Sequence, residues 1–282
     1  MENQYQEQVA VVTGAGGVLC SEIAVRLAAE GARVVLVGRT AEKLEKVAAA
    51  IRATGGQCLV RTADVTDAVA VQALADEVEA LWGPCRYLIN GAGGNNNRAI
   101  TTNTAFCPEE LSGEKPDGMT GFFDLDLPVF ESVLLTNTMG TVIPVRAFGR
   151  QMARAGRGAI LNFASMNSTR PLTRVPAYAM SKAAVVNLTQ WLATYLAPAG
   201  IRVNAVAPGF FVNDRSRKIL YTPDGALSVR GENIVRHTPM ARFGQSKELL
   251  GGVLWLLDDT RAGFVTGITL PVDGGFLADC GI

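Results

Sequence analysis

One histidine in 282 residues is the scarcest resource of this sequence. That residue, His237, lies in VRHTPMARFG, where a packing or surface role suits it better than service in a Ser-His-Asp hydrolase. Cys20, Cys58, Cys85, Cys107 and Cys280 are scattered with no C-x-x-C pair. With one histidine beside them they supply no Cys/His zinc site, so no metal is expected. They read as buried or surface thiols of a reducing compartment. Charge of either sign is not in excess: 26 Lys and Arg balance 26 Asp and Glu. The balance offers no nucleic-acid or anionic-membrane surface. No apolar run approaches the roughly 18 to 20 residues that span a bilayer. The N-terminus, MENQYQEQ, has no basic region followed by an apolar stretch, so no signal peptide and a cytoplasmic location are expected.

What the sequence does contain is apolar content, 48% of residues, arranged in alternation. QVAVVT, ARVVLVG, QCLVRTADV and RYLING read as strands. Between them lie SEIAVRLAAEGA, AEKLEKVAAAIRATGG and DAVAVQALADEVEALWG, which carry helical spacing. The pattern resumes after residue 126 with LPVFESVLLTNTMGTVIPVRAFGRQMARAG, a helix that Pro144 and two glycines should interrupt. GAILNFAS, YAMSKAAVVNLTQWLATYLA, IRVNAVA, KELLGGVLWLLDD and GITLPV complete the series. Such alternation predicts an α/β fold, a doubly wound sheet of about seven parallel strands with helices on both faces and right-handed crossovers. No low-complexity linker divides it, so one domain is expected over residues 1–282. Two stretches break the rhythm, a polar insertion at 94–126 and an excursion at 207–240. Both exceed the roughly 12 to 15 residues of ordinary loops. Both leave the carboxyl edge of the sheet, where ligands of open α/β folds bind, and both are candidate substrate walls.

Three constellations carry chemistry. TGAGGVLC, between the first strand and helix, offers Gly14, Gly16 and Gly17 for a tight turn and an open approach to a phosphate. Cys20 is expected to face the strand, where only a small side chain fits. In YAMSK, Tyr178 and Lys182 stand four residues apart on one helix face. A neighbouring ammonium favours the phenolate and lets a tyrosine act as acid or base. Ser165 ends GAILNFAS, where its hydroxyl sits at the strand's carboxyl edge either as a partner of that tyrosine or as a simple cap.

With these motifs quoted, the chain resembles the short-chain dehydrogenase/reductase family, of Rossmann type, over nearly its full length. It matches the compact branch in TG at 13–14, Asp64-Val65, NGAG at 90–93, Asn137 in LTNTMGT, Ser165, YAMSK, NAVAPG at 204–209 and VTGITLPVDGG at 265–275. The loop departs from that branch's TGxxxGxG by carrying Val18 and Cys20, and is nearer the long-chain TGxxGxxG with Gly17 in the middle. The resemblance implies that Tyr178 exchanges a proton with the substrate oxygen, Lys182 holds the nicotinamide ribose, Ser165 bonds the reacting oxygen and Asn137 holds a relay water. It implies cofactor contacts from Gly14, Gly16, Gly17, Val18 and Leu19, from Asp64 and Val65 at the adenine, and from Asn90, Gly91, Ala92 and Gly93. Tyr178, Lys182, Pro208, Gly209, Phe211 and Asn213 would lie along the nicotinamide half.

The second strand ends in Gly38 and Arg39, with no acid to bind a ribose 2′-hydroxyl. A guanidinium there can grip a 2′-phosphate, so NADP(H) is favoured over NAD(H). An arginine stacked on adenine and indifferent to phosphate is the alternative. For the substrate, Asn95 and Arg98 open the insertion, while Asn167, Arg170 and Arg174 lead to Tyr178. Amides suit sugar hydroxyls and an arginine can take a carboxylate bidentately. GGVLC, NGAGGN, FFDLD, RPLTRVPAY, APGFF and HTPMARFG resemble the D-mannonate oxidoreductase (fructuronate reductase) group of the family. That resemblance implies reduction of a keto sugar acid. Other polyols, ketoses and 3-oxo substrates stay open, and so does a non-catalytic nucleotide sensor. The helix around 127–154, the Trp191-bearing helix and GFLADCGI are apolar enough for subunit contacts, and a homotetramer is implied by resemblance.

Overall fold

The computed structural model describes residues 4–212 and 214–279. Asn213 and Cys280 lie outside the described residues. Seven strands, β1 (Val9–Thr13), β2 (Arg33–Gly38), β3 (Gln57–Thr62), β4 (Cys85–Asn90), β5 (Gly158–Phe163), β6 (Ile201–Pro208) and β7 (Thr269–Val272), pair in the order β3-β2-β1-β4-β5-β6-β7. Every pairing is parallel. The inner strands β1, β4 and β5 are buried at every position, as their near-continuous apolar runs require in a sheet covered on both sides. Helices α1 (Val18–Ala29) and α2 (Ala41–Ala53) pack one face with Ile23, Leu27, Leu44 and Ile51. The opposite face is covered by α3 (Ala68–Trp82), α4 (Leu127–Ala155) and α5 (Pro176–Leu196), through residues such as Leu74, Phe148 and Leu192. The strand order reverses between β1 and β4, which opens a crevice beyond their carboxyl ends.

Several boundaries differ from those the sequence predicts. α1 begins at Val18, directly after Gly17, rather than at Ser21, so its amino end abuts the glycine loop. β3 stops at Thr62, because Asp64 Oδ1 accepts from Thr66 N and Oγ1 (2.9 and 2.7 Å) and turns the chain out of the sheet. The interruption expected at Pro144 does not occur. α4 runs through it for 29 residues, held by a buried stripe that includes Val133, Thr141, Phe148 and Met152. Burial of that stripe outweighs the one hydrogen bond the ring removes. The final predicted helix is divided at Asp258, whose extended backbone ends α8 (Leu250–Leu257) while its side chain caps the short α9 (Asp259–Ala262). In the chain between β6 and α8 stand α6 (Asp214–Leu220) and α7 (Val229–Arg236).

Candidate active site

Two hollows meet at Gly91 and Gly93 beyond the carboxyl ends of the strands. The first, of about 280 Å³, is lined by Gly14, Gly16, Gly17, Gly38, Arg39, Asp64, Val65 and Ala92. Gly14 has φ +67°, and a Cβ there would lie 2.7–2.8 Å from the main chain of Gly91 and Ala92. Only glycine allows that approach. The first turn of α1 has no side-chain cap, so its N–H groups face outward beside the loop. Uncapped helix donors next to a glycine cradle fit the pyrophosphate of a dinucleotide. Cys20 does face the sheet: it is buried, and its Sγ occupies the place that a Cβ on Gly91 would take. Burial pushes its thiol up to about 12, so it stays protonated. Asn90 is not on the groove wall. It is buried and donates to Asn162 Oδ1 (2.9 Å), which in turn donates from Nδ2 to Thr189 (2.9 Å), an internal brace between β4, β5 and α5.

The second hollow, of about 400 Å³, is lined by Ser165, Tyr178 and Lys182 together with Val18, Leu19, Asn95, Asn167, Pro208, Gly209, Phe211 and Arg230. Pro176 at the first turn of α5 orients the helix, and the i, i+4 spacing brings Tyr178 and Lys182 to one side. Lys182 Nζ stands 5.6 Å from the Tyr178 ring centroid and donates to Phe163 O (2.6 Å). Burial lowers the Lys182 ammonium to about 8, only partly opposed by Cys20. Burial likewise raises the Tyr178 phenol, against a hydrogen bond with Ser165 that lowers it. The phenol therefore keeps its proton near neutrality, and desolvation wins over the expected help of the ammonium. Ser165 Oγ accepts from Asn167 N (3.2 Å) and Nδ2 (3.4 Å). Ser168 Oγ accepts from Ser165 N (3.2 Å) and donates to Lys182 O (2.9 Å), tying the loop to α5. A protonated phenol, a hydroxyl and an ammonium converging on one cavity can hold a carbonyl oxygen and move a proton to it.

Asn137 is fully buried, and both amide N–H groups are committed, to Gly94 O and Val133 O (2.8 Å each). Its Oδ1 accepts from Gly94 N (3.1 Å). The side chain thus clamps the loop after β4. Gly93 lies between Asn137 Oδ1 and Lys182 Nζ, and no side chain fits there.

The expected substrate wall is only partly assembled. Asn95 and Asn167 line the cavity, although Asn167 spends its amide on Ser165 Oγ and on Leu172 N (2.9 Å). Three arginines expected there do not line it. Arg98 pairs with Asp126 at the base of the insertion. Arg170 donates to the carbonyls of Phe276 and Asp279, holding the C-terminal segment. Arg174, at φ +75°, donates from Nε to Thr101 O (2.8 Å) and stitches the insertion to the loop before α5. The insertion is also less polar in space than in sequence, since Phe106, Leu111, Phe122 and Phe123 surround a hollow of their own. Two basic residues escaped the sequence reading. Lys43 lines the first hollow four residues after Arg39, and Arg230 lines the second from α7. The length of the 207–240 excursion was the one signal that pointed toward Arg230.

A family model for short chain dehydrogenases matches residues 8–222. The chain belongs to the short-chain dehydrogenase family. An uncharacterized oxidoreductase, UxuB, of Bacillus subtilis (strain 168) is 42% identical over 275 residues, 98% of this chain and 96% of that protein. A crystal structure with bound NAD of a candidate D-mannonate oxidoreductase from Haemophilus influenza superposes with a TM-score of 0.91 at 40% identity, covering 98% of this chain and 97% of that one. The L-tagatose-forming galactitol 2-dehydrogenase of Cereibacter sphaeroides is 36% identical over 95% of this chain and 94% of its own. The protein is accordingly an NAD(P)-dependent oxidoreductase acting on alcohol groups, and the glycine cradle fits the cofactor its family uses. When bound, that cofactor accepts or donates the hydride.

Proposed function

We propose that this dehydrogenase interconverts a secondary alcohol and a ketone on a sugar acid, with D-mannonate and D-fructuronate as the pair. Tyr178 passes the proton, Ser165 holds the reacting oxygen, and Lys182 holds the ribose while Asn137 and Gly93 keep the loop in place. One domain binds the dinucleotide and carries the chemistry. The observation that carries this assignment is the composition of one cavity, where the Ser165-Tyr178-Lys182 group shares its walls with Asn95, Asn167 and Arg230. Amides and a cation suit hydroxyls and a carboxylate. The polyol named for the galactitol dehydrogenase and the sugar acid named for the Haemophilus protein are both polyhydroxylated carbon chains, and only the second carries a carboxylate.

Arg39 and Lys43 both line the adenine-side hollow, and β2 ends without an acid, so the proposed cofactor is NADP(H). A homotetramer in the cytoplasm completes the proposal. Its support is the exposed apolar faces of α4 and α5, and no helix among the described residues is long and apolar enough to cross a membrane.

The test is a panel of D-fructuronate, neutral ketoses and 3-oxoacyl thioesters with NADPH and NADH. Highest kcat/KM on the keto acid is expected, with Tyr178→Phe slower by about 10²–10⁴ while it still binds cofactor. A preference for the thioesters overturns the substrate assignment. NADPH should exceed NADH by tenfold or more in kcat/KM, as two phosphate-facing cations would give. An equal ratio or its inverse overturns the cofactor assignment.

A further inference from the structure

Among the described residues, Arg230 is the only cation besides Lys182 on the wall of the cavity, and it comes from α7, far in sequence from every other lining residue except those at and just after the end of β6. Unlike Arg98, Arg170 and Arg174, it makes no hydrogen bond or ion pair among the described residues. Arg230 is exposed at the cavity rim, and the desolvation it does undergo, together with the charge of the nearby cation Arg174, lowers its pKa. Arg174 is held beside it at some expense, since φ +75° is a left-handed conformation that L residues other than glycine seldom adopt. The Thr101 N–H to Arg174 O bond (3.0 Å) and the Arg174 Nε to Thr101 O bond keep it there. A guanidinium on the cavity wall with no hydrogen bond or ion pair among the described residues is a site that an anion would complete.

The geometry points to Arg230 as the residue that takes the substrate's carboxylate. This assignment rests on the sugar-acid reading of the same cavity and says which side chain enforces it. A planar fork with five N–H donors grips a carboxylate in two parallel bonds between opposite charges, whereas a hydroxyl at the same position accepts a single bond and brings no opposite charge. The preference for an acid over a neutral ketose therefore resides in α7, within the long excursion after β6. The keto group is left to Ser165 and Tyr178.

Steady-state kinetics with D-fructuronate and with D-fructose separates the possibilities, using full-length protein with saturating cofactor. Arg230→Met is expected to raise KM for fructuronate tenfold or more, with kcat and the fructose parameters changed less than threefold. Arg230→Lys, which keeps the charge but not the fork, should recover part of the loss. The Kd for NADPH, read by fluorescence, should stay at the wild-type value and certifies that each variant is folded. If the wild-type enzyme prefers fructuronate and Arg230→Met keeps that preference, the assignment of Arg230 is overturned while the sugar-acid reading stands. If the wild-type enzyme shows no preference for fructuronate over fructose, the reading and the assignment fall together.

Discussion

Cys20 and Gly91 act as one unit at the residue scale. Cys20 stands in α1 at a place where the compact branch carries glycine, and its Sγ fills the volume that any side chain on Gly91 would need. The variant loop is therefore matched by a bare glycine on the facing strand end. Gly91→Ala should lower both the Tm and the cofactor affinity in the native background. In a Cys20→Ala background the same change should cost far less, because the Cys20 Cβ lies 3.6 Å from the added carbon, in ordinary contact. A double-mutant cycle in chemical denaturation should return a coupling of about 1 kcal/mol or more, and an additive cycle would refute the pairing. Tyr178, Lys182 and Ser165 were legible because their spacing along helix and strand fixes which edge they occupy. Asn137 was visible as a site residue, yet its saturation by Gly94 and Val133 depends on a loop fold that no spacing encodes.

Among the elements, α5 holds the proposed catalytic pair, and burying its lysine costs stability. Lys182 is buried with its ammonium lowered from 10.5 to about 8. Below pH 8 folded and unfolded chains both hold the proton, and the cost of burying the cation is present in full. Between about 8 and 10.5 the folded chain binds fewer protons than the unfolded one, so this group makes stability rise with pH. Lys182→Met should be inactive, more stable at pH 7 by at most about 3 kcal/mol, and free of that rise. Denaturant midpoints of the cofactor-free proteins from pH 7 to 10 check it; parallel curves for the two proteins would sink the claim. The period of the apolar residues announced α5, but not that Ser168 would bridge Ser165 to the carbonyl of Lys182. α4 shows the reverse failure, since local propensity at Pro144 argues for a break that packing on both sides overrides.

For the whole molecule, the outer side of α5 is as telling as the inner. Trp191 and Tyr195 stack at 4.7 Å and are 57% and 66% exposed, with Leu135 and Met139 exposed on neighbouring α4. Large stacked aromatics in water are interface material. Trp191→Asp combined with Tyr195→Asp should dissociate the proposed tetramer, with the mass followed by light scattering; an unchanged mass would remove these helices from the interface. The C-terminal stretch, also expected as a contact, is partly spent within the chain, where Phe276 is buried edge-on against Phe210.

The sequence by itself determined the parallel sheet, the glycine cradle and the tyrosine-lysine helix, because each follows from periods of two or 3.6 residues and from the backbone freedom of glycine. Only the tertiary structure decided which of the described arginines faces the cavity of Ser165, Tyr178 and Lys182. Arg98, Arg170, Arg174 and Arg230 are alike as letters, and their work is assigned by the carbonyls, carboxylates and cavities that distant segments bring within reach of each guanidinium.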